Sequence, residues 1–239
     1  MQIRKLISSH EQNMILPIYK PAGPSSYDII REFRKRVDNK YKIGHAGTLD
    51  PFASGVLILL LNDSTKLFAK FQSLEKVYTA SVRLGLKSDT LDIEGEINKG
   101  ASKKLRPDII RQKIQEYRGE IIQKIPYFSA AKHKGKPLYK YAAQGKTIEK
   151  TKQVFIKNLE LISYKHPIVS LKAVVGSGTY IRQLCVDIFK ELKNDAILFT
   201  LVRESIGPIT ISDACKLQDL STEKWKVKMI DPSEISFPQ

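Results

Sequence analysis

The sequence predicts a mixed α/β fold of the α+β kind, a mainly antiparallel sheet flanked by helices. Three observations predict it. Lys76–Leu84 alternates, with Tyr78, Ala80, Val82 and Leu84 on one face and Val77, Thr79, Ser81 and Arg83 on the other, the period of a half-buried strand. Two further strand-like runs, Val154–Ser163 and Ile168–Val175, follow each other closely. Around these lie segments whose apolar residues recur at helical spacing, so helices cover a sheet rather than alternate with parallel strands. With 42% hydrophobic and 27% charged residues in 239, the chain can bury a core.

Taken in order, residues 1–14 read as a short extension. Lys20-Pro21-Ala22-Gly23-Pro24 is a turn or loop, because two prolines and a glycine deny it regular hydrogen bonding. Ser25 opens a helix, with Asp28 placed to complete a capping box, and Ile29, Ile30, Phe33 and Val37 form its apolar stripe. Gly44 to Gly55 reads as a loop, with Gly47 and Pro51 inside it. Val56–Leu61 is continuously apolar and reads as a buried strand. Pro107 starts a helix whose stripe is Ile110, Ile114 and Tyr117, ending before Gly119. Residues 123–150 are basic and broken by Gly135, Pro137 and Gly145, as suits an exposed excursion. Gly176-Ser177-Gly178 turns the chain into a last helix with the stripe Ile181, Leu184, Ile188 and Leu192.

Charge narrows the partner. Lys and Arg total 40 against 25 Asp and Glu, a formal net charge of +15. A polyanion gains by releasing condensed counterions to such a protein, so nucleic acid is the expected partner. No long segment joins a basic face to a strongly apolar one, so a membrane surface is not expected. The longest apolar run, Val56–Leu61, falls far short of the ~20 residues that span a bilayer. Cys185 and Cys215 have no C-x-x-C neighbours and make neither a disulfide framework nor a zinc site; they read as small apolar residues in a reducing compartment. The expected location is the cytoplasm.

The segment Ile43-Gly44-His45-Ala46-Gly47-Thr48-Leu49-Asp50-Pro51 can be read in three ways. It can be a glycine-rich turn with a capping aspartate. It can be the I-G-x-x-G loop with which a KH domain clamps RNA, although Pro51 biases Asp50 away from the helix such a loop must open. Or it can present Asp50 as a poised carboxylate, on glycines that admit a ligand and a proline that stiffens the backbone. Spacing alone leaves these open.

The longer run Gly44-His45-Ala46-Gly47-Thr48-Leu49-Asp50-Pro51-Phe52-Ala53-Ser54-Gly55-Val56-Leu57 resembles the G-H-x-G-T-L-D-P-x-A-x-G-V-L signature of the TruB family of pseudouridine synthases. Four other segments resemble family motifs in the same order: Lys20-Pro21-x-Gly23, Lys76-Val77-Tyr78-Thr79-Ala80, Ser177-Gly178-Thr179-Tyr180-Ile181-Arg182, and Leu201-Val202-Arg203 followed by Gly207. The resemblance runs from about Pro17 to Ile211. It implies a catalytic domain over 15–211 with an RNA-covering insertion at about 123–150, and a tail over 212–239. Many family members end in an RNA-binding PUA domain; residues 208–239 are too few for one, so a short form is expected. Where the family usually has Gln-x-Pro-Pro-x-Tyr-Ser-Ala, this chain has Gln123-Lys124-Ile125-Pro126-Tyr127-Phe128-Ser129-Ala130, which alters the expected backbone of the insertion.

The resemblance implies isomerisation of uridine-55 in the T-loop of transfer RNA, with no cofactor, no metal, no required protein partner and a monomeric enzyme. Asp50 is implied as the essential carboxylate. Attack on the sugar carbon, attack on the base and removal of a sugar proton all stay open as its role. Arg182 matches the arginine that pairs with that acid and would keep it ionised. Tyr78 matches the aromatic that stacks on the target uracil, Tyr180 a pocket aromatic, Leu201 an apolar wall, and His45 a histidine that helps hold the flipped nucleotide. Lys132, Lys134, Lys136 and Lys140, with Lys146, Tyr139 and Tyr141, are expected to cover the RNA. Two other functions stand beside this one: a guide-RNA-dependent synthase subunit, and a non-catalytic RNA-binding or RNA-folding module.

Overall fold

Strong alternation and continuous apolar runs become strands, and capped stripes become helices, in a computed structural model that describes residues 13–37 and 40–237. In chain order the elements are β1 (Ile15–Lys20), α1 (Ser26–Arg36), β2 (Ile43–Ala46), β3 (Ser54–Leu61), α2 (Phe68–Ser73), β4 (Lys76–Leu84), β5 (Leu86–Ser88), β6 (Ile97–Lys99), α3 (Pro107–Glu116) and β7 (Gly119–Lys124). There follow β8 (Lys132–His133), β9 (Lys136–Pro137), α4 (Leu138–Ala142), β10 (Thr151–Lys165), β11 (Ile168–Val175), α5 (Ile181–Glu191), β12 (Ala196–Ile206) and β13 (Ile209–Thr210). Short 3-10 turns complete the chain towards residue 237. The fold is mixed α/β, with a large, mostly antiparallel sheet flanked by helices. Most of the expected N-terminal extension, residues 1–12, lies outside the described residues.

The chain forms two compact units, Met1–Lys76 with Val202–Gln239, and Val77–Leu201. In the first, β3 is flanked by β1 and β2, both antiparallel, and Val202–Arg203 of β12 runs parallel to its Ser54–Gly55. Both faces of β3 are covered, which is why its sequence is a continuous apolar run rather than an alternation. Leu57, Leu59 and Leu61 pack with Ile29, Ile30 and Phe33 of α1 and with Cys215, Leu220 and Trp225 from the C-terminal turns. Val56, Ile58 and Leu60 pack with Phe71 of α2, Leu74, Ile206 and Ile235. Residues 212–237 therefore supply core side chains.

Helix α1 begins as expected: Ser25 caps it, and the Ser25 and Asp28 side chains complete a capping box. One expectation about strands is corrected, and one strand is found where none was expected. Ile43–Ala46 is a strand paired to β3, not part of a loop, so the loop proper spans only residues 47–53. β1 was unmarked in the sequence. Pro17 within it reads against a central strand, and β1 ends the path of paired strands, where proline is tolerated.

In the second unit, β4, β11, β10 and β7 follow one another in the sheet. The buried face of β4 carries Tyr78, Ala80, Val82 and Leu84, as the alternation predicted. β10 pairs antiparallel with both β11 and β7, and α3 and α5 pack on this part of the sheet.

Candidate active site

The loop carrying Asp50 is fixed through its backbone. Asp50 O accepts from Ala53 N at 3.1 Å, closing a turn with Pro51 at its second position. The side chain of Ser26, at the start of α1, accepts from Leu49 N at 2.9 Å and donates to Leu49 O at 3.0 Å. The Lys20 ammonium, fully buried, donates to Pro51 O at 3.0 Å, Ala53 O at 2.7 Å and Pro21 O at 2.9 Å. Arg203, also buried, donates from Nε to Val56 O at 2.8 Å, from Nη1 to Thr48 O at 3.4 Å and from Nη2 to Gly47 O at 3.0 Å. Two desolvated cations thus grip the carbonyls on either side of Asp50. Buried charge is tolerable only when its donors are satisfied, so both side chains are held to this geometry. The half-buried carboxylate is presented on a preorganised backbone.

His45 lies on β2, one strand residue before the loop begins. Its Nδ1 is buried with no hydrogen-bond partner among the described residues. Burial, and secondarily the Arg203 charge, hold its pKa below the ordinary 6.5, so the ring is neutral at neutral pH. Lys76 opens β4 with its ammonium on the carbonyls of Phe71, Gln72 and Leu74, capping the end of α2. Burial lowers its pKa to about 8.

In the second unit, Arg182 is 5% exposed, a buried cation at the start of α5. Its guanidinium donates to Thr90 O at 2.7 Å and Phe128 O at 3.0 Å, and forms an ion pair with Asp92 at 3.2 Å. Asp92 in turn accepts from Thr90 Oγ1 at 2.5 Å and Glu94 N at 2.9 Å. Tyr180 caps α5, and its backbone N and O bond both ends of the buried Gln123 amide, at 2.9 and 3.1 Å. Tyr180 and Arg182 are thereby brought together at one helix start. Tyr78 is 9% and Leu201 6% exposed. Lys20, Arg203, Asp92 and Gln123 were not assigned roles from the sequence. Lys20 ends an otherwise apolar strand, a signal that could have marked it, whereas Arg203 shares its strand with Thr200, Glu204 and Ser205 and, like Asp92 and Gln123, carries no such mark.

The excursion folds as a small hairpin, β8–β9, followed by α4. Lys132, Lys134 and Lys140 are exposed, while Lys136 lies 4.8 Å over the Tyr141 ring and bonds Gln144. A cavity of about 990 Å³ opens in the second unit between α3, α5 and β7, and its lining contains none of the residues assigned from sequence. Among the described residues no group of three or more His, Cys, Asp or Glu side chains is placed to hold a metal. Cys185 and Cys215 are free and buried, each thiol pushed up to about 12 by desolvation. No helix of the described residues is long and apolar enough to cross a membrane.

Among known proteins, residues 34–181 match the family described as TruB family pseudouridylate synthase, N-terminal domain. The tRNA pseudouridine synthase B of Thermotoga petrophila is 41% identical over 217 residues, covering 90% of this chain and 70% of that protein. The protein of the same name from Endomicrobium trichonymphae is 38% identical over 220 residues, covering 91% of this chain and 95% of its own length. Among solved structures, a Cbf5-Nop10-Gar1 complex contains a chain similar at a TM-score of 0.72 and 26% identity. An H/ACA RNP bound to a substrate RNA containing 2'-deoxyuridine gives 0.71 and 25%. This chain spans only 60% and 62% of the lengths of those two chains.

Proposed function

Because this chain belongs to the TruB family of pseudouridylate synthases, we propose that it isomerises uridine to pseudouridine in transfer RNA, at position 55 of the T-loop, with Asp50 as the catalytic carboxylate. The observation that carries the reading is the grip of Lys20, Ser26 and Arg203 on the backbone around Asp50, which commits several buried donors to the placing of one carboxylate.

The reaction is a balanced rearrangement. The N1–C1′ bond breaks, the uracil turns, C5 bonds to C1′, C5 loses its proton and N1 ends protonated. Nothing is oxidised and no group enters from a donor. The chain's task is to hold an extracted nucleotide in place and keep water from the glycosidic carbon. A base taken out of its stack is stabilised on aromatic surface, the role of Tyr78, with Tyr180 and Leu201 around it. His45, held neutral by burial, offers a hydrogen bond to the displaced nucleotide. Arg182 supplies fixed positive charge that favours an ionised carboxylate. Lys132, Lys134, Lys136 and Lys140 neutralise phosphates of the T-arm and position it without reading its sequence.

Incubating the purified protein alone with unmodified tRNA and mapping pseudouridine tests the reading. Product at uridine-55 without added RNA supports it. Product only with a guide RNA, or binding without product, points instead to a guide-dependent subunit or a non-catalytic RNA module.

A further inference from the structure

Besides His45 Nδ1, a second buried polar atom, Ser129 Oγ, has no hydrogen-bond partner among the described residues. Ser129 is 6% exposed. A hydroxyl brings one donor and two acceptor sites, and leaving it buried and unpaired is unfavourable enough that such groups are rare. The backbone around it is itself held by hydrogen bonds. Phe128 O accepts from Arg182 Nη2 at 3.0 Å, Ser129 O from Tyr139 N at 3.1 Å, and Ala131 O from Leu138 N at 2.7 Å. One side of the hydroxyl is tied to the buried Arg182–Asp92 pair and the other to the start of α4. Only rotation about the Cα–Cβ bond is left to the side chain.

A hydroxyl without an internal partner, free to rotate on a backbone held by its own hydrogen bonds, can turn to meet a group that arrives from outside. The same segment runs directly into the exposed Lys132 and Lys134, whose charge calls for an anionic strand. We infer that the Ser129 hydroxyl contacts the substrate RNA, donating to an oxygen of its sugar–phosphate backbone, and so fixes the strand beside Arg182. The inference rests on the proposed function in taking the ligand to be RNA. A hydrogen bond of this kind positions the nucleotide and reads no base edge.

The test is Ser129→Ala, assayed with T-arm hairpins in which single 2′-hydroxyls are replaced by hydrogen or single phosphates by methylphosphonate. The expected kcat/KM falls about tenfold, the scale of one lost hydrogen bond to an ionic or ribose oxygen. The expected Tm of the free protein equals or exceeds that of the wild type, because an unpaired buried hydroxyl has been removed. One modified hairpin should lose about tenfold with the wild type and almost nothing further with Ser129→Ala, the signature of direct coupling. A lowered Tm with unchanged kcat/KM, or equal losses with both proteins for every modified hairpin, overturns the inference. Should the wild type make no pseudouridine, the proposed function fails by itself. Equilibrium binding of the same hairpins at one fixed salt concentration then decides the Ser129 contact separately.

Discussion

Gly55 and Arg203 meet backbone to backbone: a β-carbon on Gly55 would lie 2.2 Å from the Arg203 carbonyl oxygen and 2.7 Å from its nitrogen. Gly55 also sits at φ +114°, where side chains are strained. The approach joins β3 to β12 at the point where the Arg203 guanidinium turns back to hold Gly47 and Thr48.

Gly55→Ala should therefore destabilise the protein by about 3 kcal/mol or more, since backbone cannot yield as a flexible side chain would. Urea denaturation checks it. A midpoint within experimental error of the wild type would show that the two strands can separate without cost.

Asp50→Asn keeps the shape of the side chain and removes its charge. Pseudouridine formation should fall by roughly a thousandfold or more, while hairpin binding and Tm stay near those of the wild type. Single-turnover assays beside equilibrium binding separate the two effects. Turnover within about tenfold of the wild type would remove Asp50 from the chemistry.

Asp92→Ala leaves the Arg182 guanidinium buried without this ion pair. A loss of about 3–5 kcal/mol in unfolding free energy is expected, the usual effect of stranding one member of a buried pair. The double variant Arg182→Met with Asp92→Leu should lose less stability than the two single changes summed, which a double-mutant cycle in urea measures.

His45 gives a pH dependence of known sign. Its folded pKa lies below the ordinary 6.5, so the unfolded chain binds the proton more readily. Stability linked to the neutral ring is complete above pH 6.5 and is lost as pH falls through the folded value. The wild type should lose more stability than His45→Asn between pH 7.5 and pH 5. Parallel unfolding midpoints for the two proteins across that range would contradict this.

Tyr78→Leu removes the aromatic face and keeps an apolar side chain. The single-turnover rate should fall about a hundredfold or more, with hairpin affinity changed only a few-fold, since most binding comes from phosphate contacts. Weakened binding at an unchanged rate would make Tyr78 a binding residue only.

Local chemistry made much of the fold readable. The Ser25–Asp28 box, the alternation of Lys76–Leu84 and the position of Pro107 each act within a few residues, and each element formed where expected. Ile43–Ala46 was hidden because Gly44 and His45 have little strand character; its hydrogen bonds to β3, across the intervening loop, make it a strand. At the site, the motif pointed to Asp50, whereas the work of Arg203 on Gly47 crosses 156 positions and no local pattern encodes it. Arg182 stood out through the motif it lies in, whereas Asp92 beside it became visible only once the chain was folded.

The two-sided burial of β3 has a consequence for how the chain avoids misfolding. Slipping β3 by one position would exchange Leu57, Leu59 and Leu61 for Val56, Ile58 and Leu60, and both sets are equally acceptable to an apolar layer. Oiliness alone therefore cannot choose the alignment. Gly55 can, because it is the residue of this strand opposite both Lys20 and Arg203, and a slip in either direction brings a side chain into the space that admits only a hydrogen. The glycine acts as a steric key that rejects misaligned pairings, and the alignment it enforces is the one that sets Asp50 in place.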